Sequence, residues 1–257
     1  MKTDYDHTML FDSTSCIGCE ACTAVCKIRY DSPWGVFRTK ISRTQTGSHP
    51  DSRTRRYKVA CQHCKKAACV KACPSKALGR VRGVAVVLDP SGCIGCGYCS
   101  AACPYGVAKF DRARGKAADK CSFCFKLVPE KKPFCVSACP VAALSFGPRP
   151  EIIEQANVRI AHLKGRGVKN TRIYGVQELG GLGVISVLAG EPAEYGIPEK
   201  PRIPWGHKSW RHVLRPGGGI AAAAAVAAIL SNWISTRKGR APDSSRSSES
   251  STGRGEE

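Results

Sequence analysis

Residues 93–104 read CIGCGYCSAACP, with Cys93, Cys96, Cys99 and Cys103 spaced by two, two and three residues and Pro104 following. Three thiols on so tight a loop can reach three corners of one cubane, while the fourth enters a helix and points away. That fourth thiol therefore ligates a different cluster. The proline redirects the chain once the ligand is placed.

The pattern repeats along the chain. Cys16, Cys19, Cys22 and Cys26 have the same spacing in CIGCEACTAVC, whereas Cys61, Cys64, Cys69, Cys73 and Cys121, Cys124, Cys135, Cys139 stretch the middle gap. The proline recurs as Pro74 and Pro140, and Lys27 replaces it in the first group. All sixteen cysteines of the 257 residues fall in these groups.

Four groups of this kind predict four [4Fe–4S] clusters. If the second and third groups exchange their last cysteines, and the first and fourth do likewise, two ferredoxin-like dicluster modules nest one inside the other. One site then uses Cys16, Cys19, Cys22 and Cys139; a second Cys26, Cys121, Cys124 and Cys135; a third Cys61, Cys64, Cys69 and Cys103; the fourth Cys73, Cys93, Cys96 and Cys99. Gly18, Gly95 and Gly97 would let backbone approach the inorganic sulfurs, or only permit the turn. His63 reads as a packing or potential-tuning residue.

Disulfides suit small secreted chains, but Met1 to Phe11 is polar and charged, and no Sec or twin-arginine signal is expected there. Zinc knuckles join two CxxC pairs; here a third cysteine follows within three residues in two groups, and a proline mostly closes the run. The formal charge of +20 raises the alternative of a zinc-knuckle nucleic-acid binder. The basic residues are scattered, however, and four clusters at roughly −2 each would offset part of the excess. No nucleic-acid partner is expected.

Nothing resembles a substrate-transforming site: there is no nucleophile elbow, phosphate-binding loop, HExxH or dinucleotide fingerprint. The chain reads as a non-catalytic conductor of electrons. Its fold class is α+β, with small hairpins and single-turn helices across a cluster domain at 1–150. Val81 to Leu88 reads as a hairpin strand closed by the turn from Asp89 to Gly92, and residues 27–60 as an inserted surface loop.

An extension and linker is expected at 151–204, beginning with a helix from Glu151 to Lys164 that stops at Gly165, then a strand over Val184 to Leu188. The proline-rich stretch from Pro192 to Pro204 reads as extended. A C-terminal helix is expected within 205–239, where Pro216 to Thr236 holds 21 residues without charge. That length spans about 31 Å as a helix, enough for a membrane span contacting lipid, with Trp210 and Trp233 as interfacial anchors. A disordered tail is expected at 240–257.

The segments DSTSCIGCEACTAVC, CQHCKKAACVKACP, CIGCGYCSAACPYGV, KCSFCF and FCVSACPVAALSFG, followed by RIAHLKGRGVKNTRIYG and EYGIPEKPRI, resemble the iron–sulfur (beta) subunit of membrane-bound respiratory formate dehydrogenase. The likeness runs from about Asp12 to Pro216. It implies a wire of four [4Fe–4S] clusters between a catalytic molybdopterin or tungstopterin subunit and a cytochrome b subunit that reduces quinone. It also implies an extracytoplasmic cluster domain. The first half is similar as well to iron–sulfur subunits of other pterin oxidoreductases and of some hydrogenases.

Overall fold

A computed structural model describes residues 7–81, 85–108, 110–111, 116–117, 120–127, 131–203 and 215–238. The chain divides into two units, Met1–Pro204 and Trp205–Glu257. The expected tail at 240–257 and Trp210 lie outside the described residues.

The first unit is built on β1 (His7–Asp12), which lies inside a sheet. It pairs antiparallel with β8 (Leu144–Pro148) and parallel with β10 (Val184–Ala189), and β9 (Thr171–Tyr174) closes the far edge of β10. Successive side chains on a strand alternate faces. Met9 and Phe11 enter one apolar cluster with Tyr57, Phe123, Leu144 and Tyr174. Leu10 enters another with Ile152, Ala156, Leu163, Ile185 and Val187.

The second cluster is capped by helix α5 (Arg149–Gly165), which starts with Pro150 in its first turn, where a missing amide costs nothing. The cysteine loops hang from the opposite face. Four short helices carry them: α1 (Ala21–Arg29), α2 (Ala68–Ala72), α3 (Tyr98–Ala101) and α4 (Phe134–Ser137). Helix α1 packs on α4, and α2 on α3.

Proline explains how each helix ends. After Pro74, Pro104 and Pro140 the chain turns through a left-handed residue at Lys76, Gly106 and Ala142. Where Lys27 stands instead, α1 runs on to Arg29. Strands β4 (Leu78–Val81) and β5 (Ala85–Leu88) pair as a hairpin with Val81 opposite Ala85, so the run read as one strand from Val81 to Leu88 is divided between two, and β6 (Phe110–Asp111) pairs with β7 (Lys116–Ala117).

Three further sequence readings need correction. Residues 27–60 are not a loop throughout: β2 (Thr39–Thr46) and β3 (Arg53–Ala60) pair over eight residues each. The proline-rich stretch is not simply extended, because Pro192–Tyr195 form a 3-10 turn closed by a reciprocal Glu191/Glu194 capping box. Tyr195 is buried against Tyr57 in the core, its hydroxyl accepting from the Ala189 amide at 3.0 Å and from Ser13 Oγ at 3.2 Å.

The third correction concerns the membrane. Helix α6 (Arg215–Lys238) forms as expected, but among the described residues no helix is long and apolar enough to cross a bilayer. Seven alanines and three glycines between Pro216 and Thr236 supply little transfer free energy, and Ser231, Asn232, Ser235 and Thr236 oppose it.

The run DSTS before Cys16 is a knot. Asp12 accepts from the Thr14 amide at 2.8 Å, Thr14 Oγ1 at 2.6 Å, Ser15 Oγ at 2.7 Å and Arg159 Nε at 2.7 Å. Burial raises the Asp12 pKa, but the Thr14 and Ser15 bonds and the Arg159 charge outweigh it and hold it below its ordinary value. A depressed carboxylate stabilises the fold above its unfolded pKa, and that contribution disappears as pH falls through the folded value. Asp12→Asn should therefore cost roughly 2 kcal/mol at neutral pH, and the gap from wild type should shrink below about pH 4. Urea unfolding at several pH values measures both; a gap independent of pH refutes the ionic role.

Candidate iron–sulfur sites

Cys16, Cys19, Cys22 and Cys139 line one pocket, bounded by Phe11, Ile41 and Leu144. Cys26, Cys121, Cys124 and Cys135 line a second, with Met9, Tyr30, Lys58 and Phe123. In the third quartet Cys64 has Cys61, Cys69 and Cys103 as its charged neighbours. In the fourth, Cys99 has Cys96, Cys93 and Cys73. These are sites I to IV below.

Helix geometry accounts for the sharing between sites. Cys22 and Cys26 lie four residues apart on α1, about 6 Å along its axis, so one helix places a thiol in each of two pockets. The same division falls between Cys135 and Cys139 around α4, Cys69 and Cys73 around α2, and Cys99 and Cys103 around α3.

As free thiols these groups are crowded. Burial first, and then Cys121, push Cys26 up to about 12; burial and Cys61 do the same to Cys69. Cys135 rises to about 11 through burial, against the nearby Lys58. Four thiolates can share such a pocket only around compensating positive charge, which is what iron would supply. Among the described residues, no three His, Cys, Asp or Glu side chains converge closely enough for a single metal ion. An all-sulfur donor set around an open cavity fits a cubane better than zinc.

Each CxxC loop uses one backbone device. The residue before the second cysteine has positive φ in every group: Gly18 at 75°, His63 at 49°, Gly95 at 71° and Phe123 at 61°. Glycine adopts this freely; a side chain costs about 1–2 kcal/mol. His63 and Phe123 are both fully buried and pack against each other with ring centroids 4.6 Å apart and planes tilted by 52°, a contact that offsets that strain. His63 Nδ1 accepts the Val86 amide at 3.0 Å, so His63 is a packing residue beside the ligands.

Two lysines were not evident as site residues from sequence. Lys120 is buried beside Cys121; its ammonium donates to the Val86 and Cys121 carbonyls and lies 3.9 Å from Cys61 Sγ. Lys58 belongs to a run with Arg53, Arg55 and Arg56, yet only it is sunk in the interior, at 2% exposure. The hairpin register could have revealed it. Thr39 and Ile41 face inward, and Lys58 and Ala60 lie directly opposite them on the ladder.

Comparison with known proteins matches this architecture. Residues 56–149 match a 4Fe-4S dicluster domain. The nitrate-inducible formate dehydrogenase iron-sulfur subunit of Escherichia coli K12 is 33% identical over 250 residues, covering 88% of this chain and 83% of that one. The chain belongs to the formate dehydrogenase iron–sulfur subunits. Within this family it is an electron-transfer subunit carrying four [4Fe–4S] clusters, and the zinc-knuckle alternative is not favoured. A thiosulfate reductase electron transfer subunit, PhsB of Salmonella typhi, is 42% identical over 145 residues, covering 55% of this chain and 75% of that one. Protein NrfC of Escherichia coli K12 is 45% identical over 143 residues, covering 54% and 64%.

Family membership also implies a catalytic subunit as partner. Anaerobically purified chain should hold about sixteen iron and sixteen acid-labile sulfides, with brown colour and no stoichiometric zinc. Iron near half that value refutes the four-cluster count.

Proposed function

We propose that the sixteen cysteines ligate their clusters in the nested order of sites I to IV. On that reading the chain relays electrons from a catalytic molybdopterin or tungstopterin subunit of formate dehydrogenase type to a cytochrome b partner that reduces quinone. When bound, each cluster supplies one-electron redox chemistry at its site. The packing of α1 on α4 and of α2 on α3 supports the nesting.

The order follows from shared elements. Sites I and II share α1 and α4, and sites III and IV share α2 and α3. Between the halves, Cys61 of site III is acted on by Cys121 of site II, with Lys120 beside both. The sequence I, II, III, IV is therefore linear, with sites II and III in the middle.

Exposure carries the reading. Three of the four buried cysteines, Cys61, Cys124 and Cys135, belong to the middle sites and the fourth, Cys22, to site I, whereas the two exposed ones are Cys19 of site I and Cys96 of site IV. Apolar side chains lie open around both ends: Ile17 and Val141 near site I, Ile94 and Tyr98 near site IV. A conductor needs two such contacts, each placing a terminal cluster near a partner's cofactor.

A formate-type partner is favoured because that likeness spans 88% of the chain, against 55% for the thiosulfate relative. Membrane association is assigned to the cytochrome b partner, and the extracytoplasmic side to the family resemblance. With iron retained, Ile17→Glu and Ile94→Glu should each abolish transfer with one partner and spare exchange with the other, measured by reduction from each side. If either variant blocks both directions of exchange, or neither blocks any, the two-ended reading fails.

A further inference from the structure

A lysine ammonium buried without compensation costs several kcal/mol, so an interior lysine marks where negative charge is to be. Lys58 enters the core from β3, lines the pocket of site II, and lies directly across the hairpin ladder from Ile41, which lines the pocket of site I. The pocket it lines holds the thiols of Cys26, Cys121, Cys124 and Cys135 and no carboxylate.

We propose that Lys58 is a fixed cation shared by sites I and II, which raises the reduction potential of both and lets both hold an electron at once. The inference rests on the four-cluster assignment above. Reduction adds one electron, and one unit of negative charge, to a cluster whose thiolates already make it anionic. A fixed positive charge nearby stabilises the reduced form more than the oxidised form. It also offsets the repulsion between two neighbouring reduced clusters.

In a wire this matters for throughput. Without the cation, an electron on site I would disfavour arrival of the next on site II. Lys120 occupies the corresponding place beside site III, with its charge acting on Cys61 and Cys69, and serves as an internal control.

The test is a potentiometric titration followed by EPR on the full chain, prepared anaerobically with its clusters. Signals are assigned to sites by serine replacement of Cys19, Cys124, Cys64 and Cys96 in turn. Lys58→Met, which keeps length and removes charge, should weaken reduction at sites I and II by about tenfold or more, about 59 mV for a one-electron couple. Sites III and IV should be unmoved. Lys58→Arg should retain the wild-type potentials, and Lys120→Met, beside Cys61 and Cys121, should move site III most and leave site I unmoved.

Unchanged potentials in Lys58→Met with full iron overturn the inference, as does an equal shift at all four sites. If Lys58→Met loses iron from sites I and II while Lys58→Arg keeps it, the charge is required and the inference stands. If both variants lose iron, Lys58 is a packing residue and the inference falls. Wild-type chain with fewer than four clusters would overturn the four-cluster assignment itself, an outcome distinguishable before any variant is made.

Discussion

Each cysteine quartet draws its fourth thiol from a distant segment. Under the proposed pairing the site containing Cys16 needs Cys139, and the one containing Cys26 needs Cys121, Cys124 and Cys135. This requirement dictates that the first and last cysteine groups lie side by side, which a local loop cannot arrange. The sheet answers it: β1 leads into Cys16 and β8 leads away from Cys139, and the two strands pair antiparallel, with Phe11 opposite Leu144. The bottom of site I is thus a rung of the ladder.

The strand that completes the sheet comes from the far side of the cysteine region. Strand β10 pairs parallel with β1, so the chain must cross over between them, and α5 is the helix that covers that face. The segment after the cysteines is therefore structural for them. Arg159 on α5 reaches Asp12 in the loop entering Cys16, and Tyr195 bonds both Ser13 and Ala189. Cluster loops with little core of their own are held by burial elsewhere.

Cysteine spacing made the gathering of thiols legible, since Cys16, Cys19, Cys22 and Cys139 line one pocket and Cys26, Cys121, Cys124 and Cys135 another. Proline legibly marked where three of the helices end, and Lys27 marked the exception. The β2 and β3 hairpin was not legible: its residues are polar and charged on the outward face, so TKISRTQT and RTRRYKVA lack the apolar alternation that announces a strand. Lys58 was hidden for the same reason, as one base among four. The turn at Pro192–Tyr195 was concealed because proline there starts a short helix, while in isolation it signals extension. The membrane reading failed on quantity, since an uncharged run need not be an apolar one.

Comparison of the four loops suggests why the two spacing classes differ. The compact groups, CIGCEAC and CIGCGYC, place glycine at the left-handed position and leave Ile17 at 57% and Ile94 at 67% exposure. The stretched groups place His63 and Phe123 there, and Gln62, the counterpart of the two isoleucines, is 2% exposed. A bulky left-handed residue is tolerated only where packing returns its strain, as the contact between the tilted rings of His63 and Phe123 does between sites II and III. A glycine loop needs no such support and can sit at a surface. Under the proposed pairing, compact groups then supply three ligands to each terminal site and stretched groups to each interior one. The filler residues thus distinguish the ends of the wire from its middle, while the cysteines themselves are common to all four.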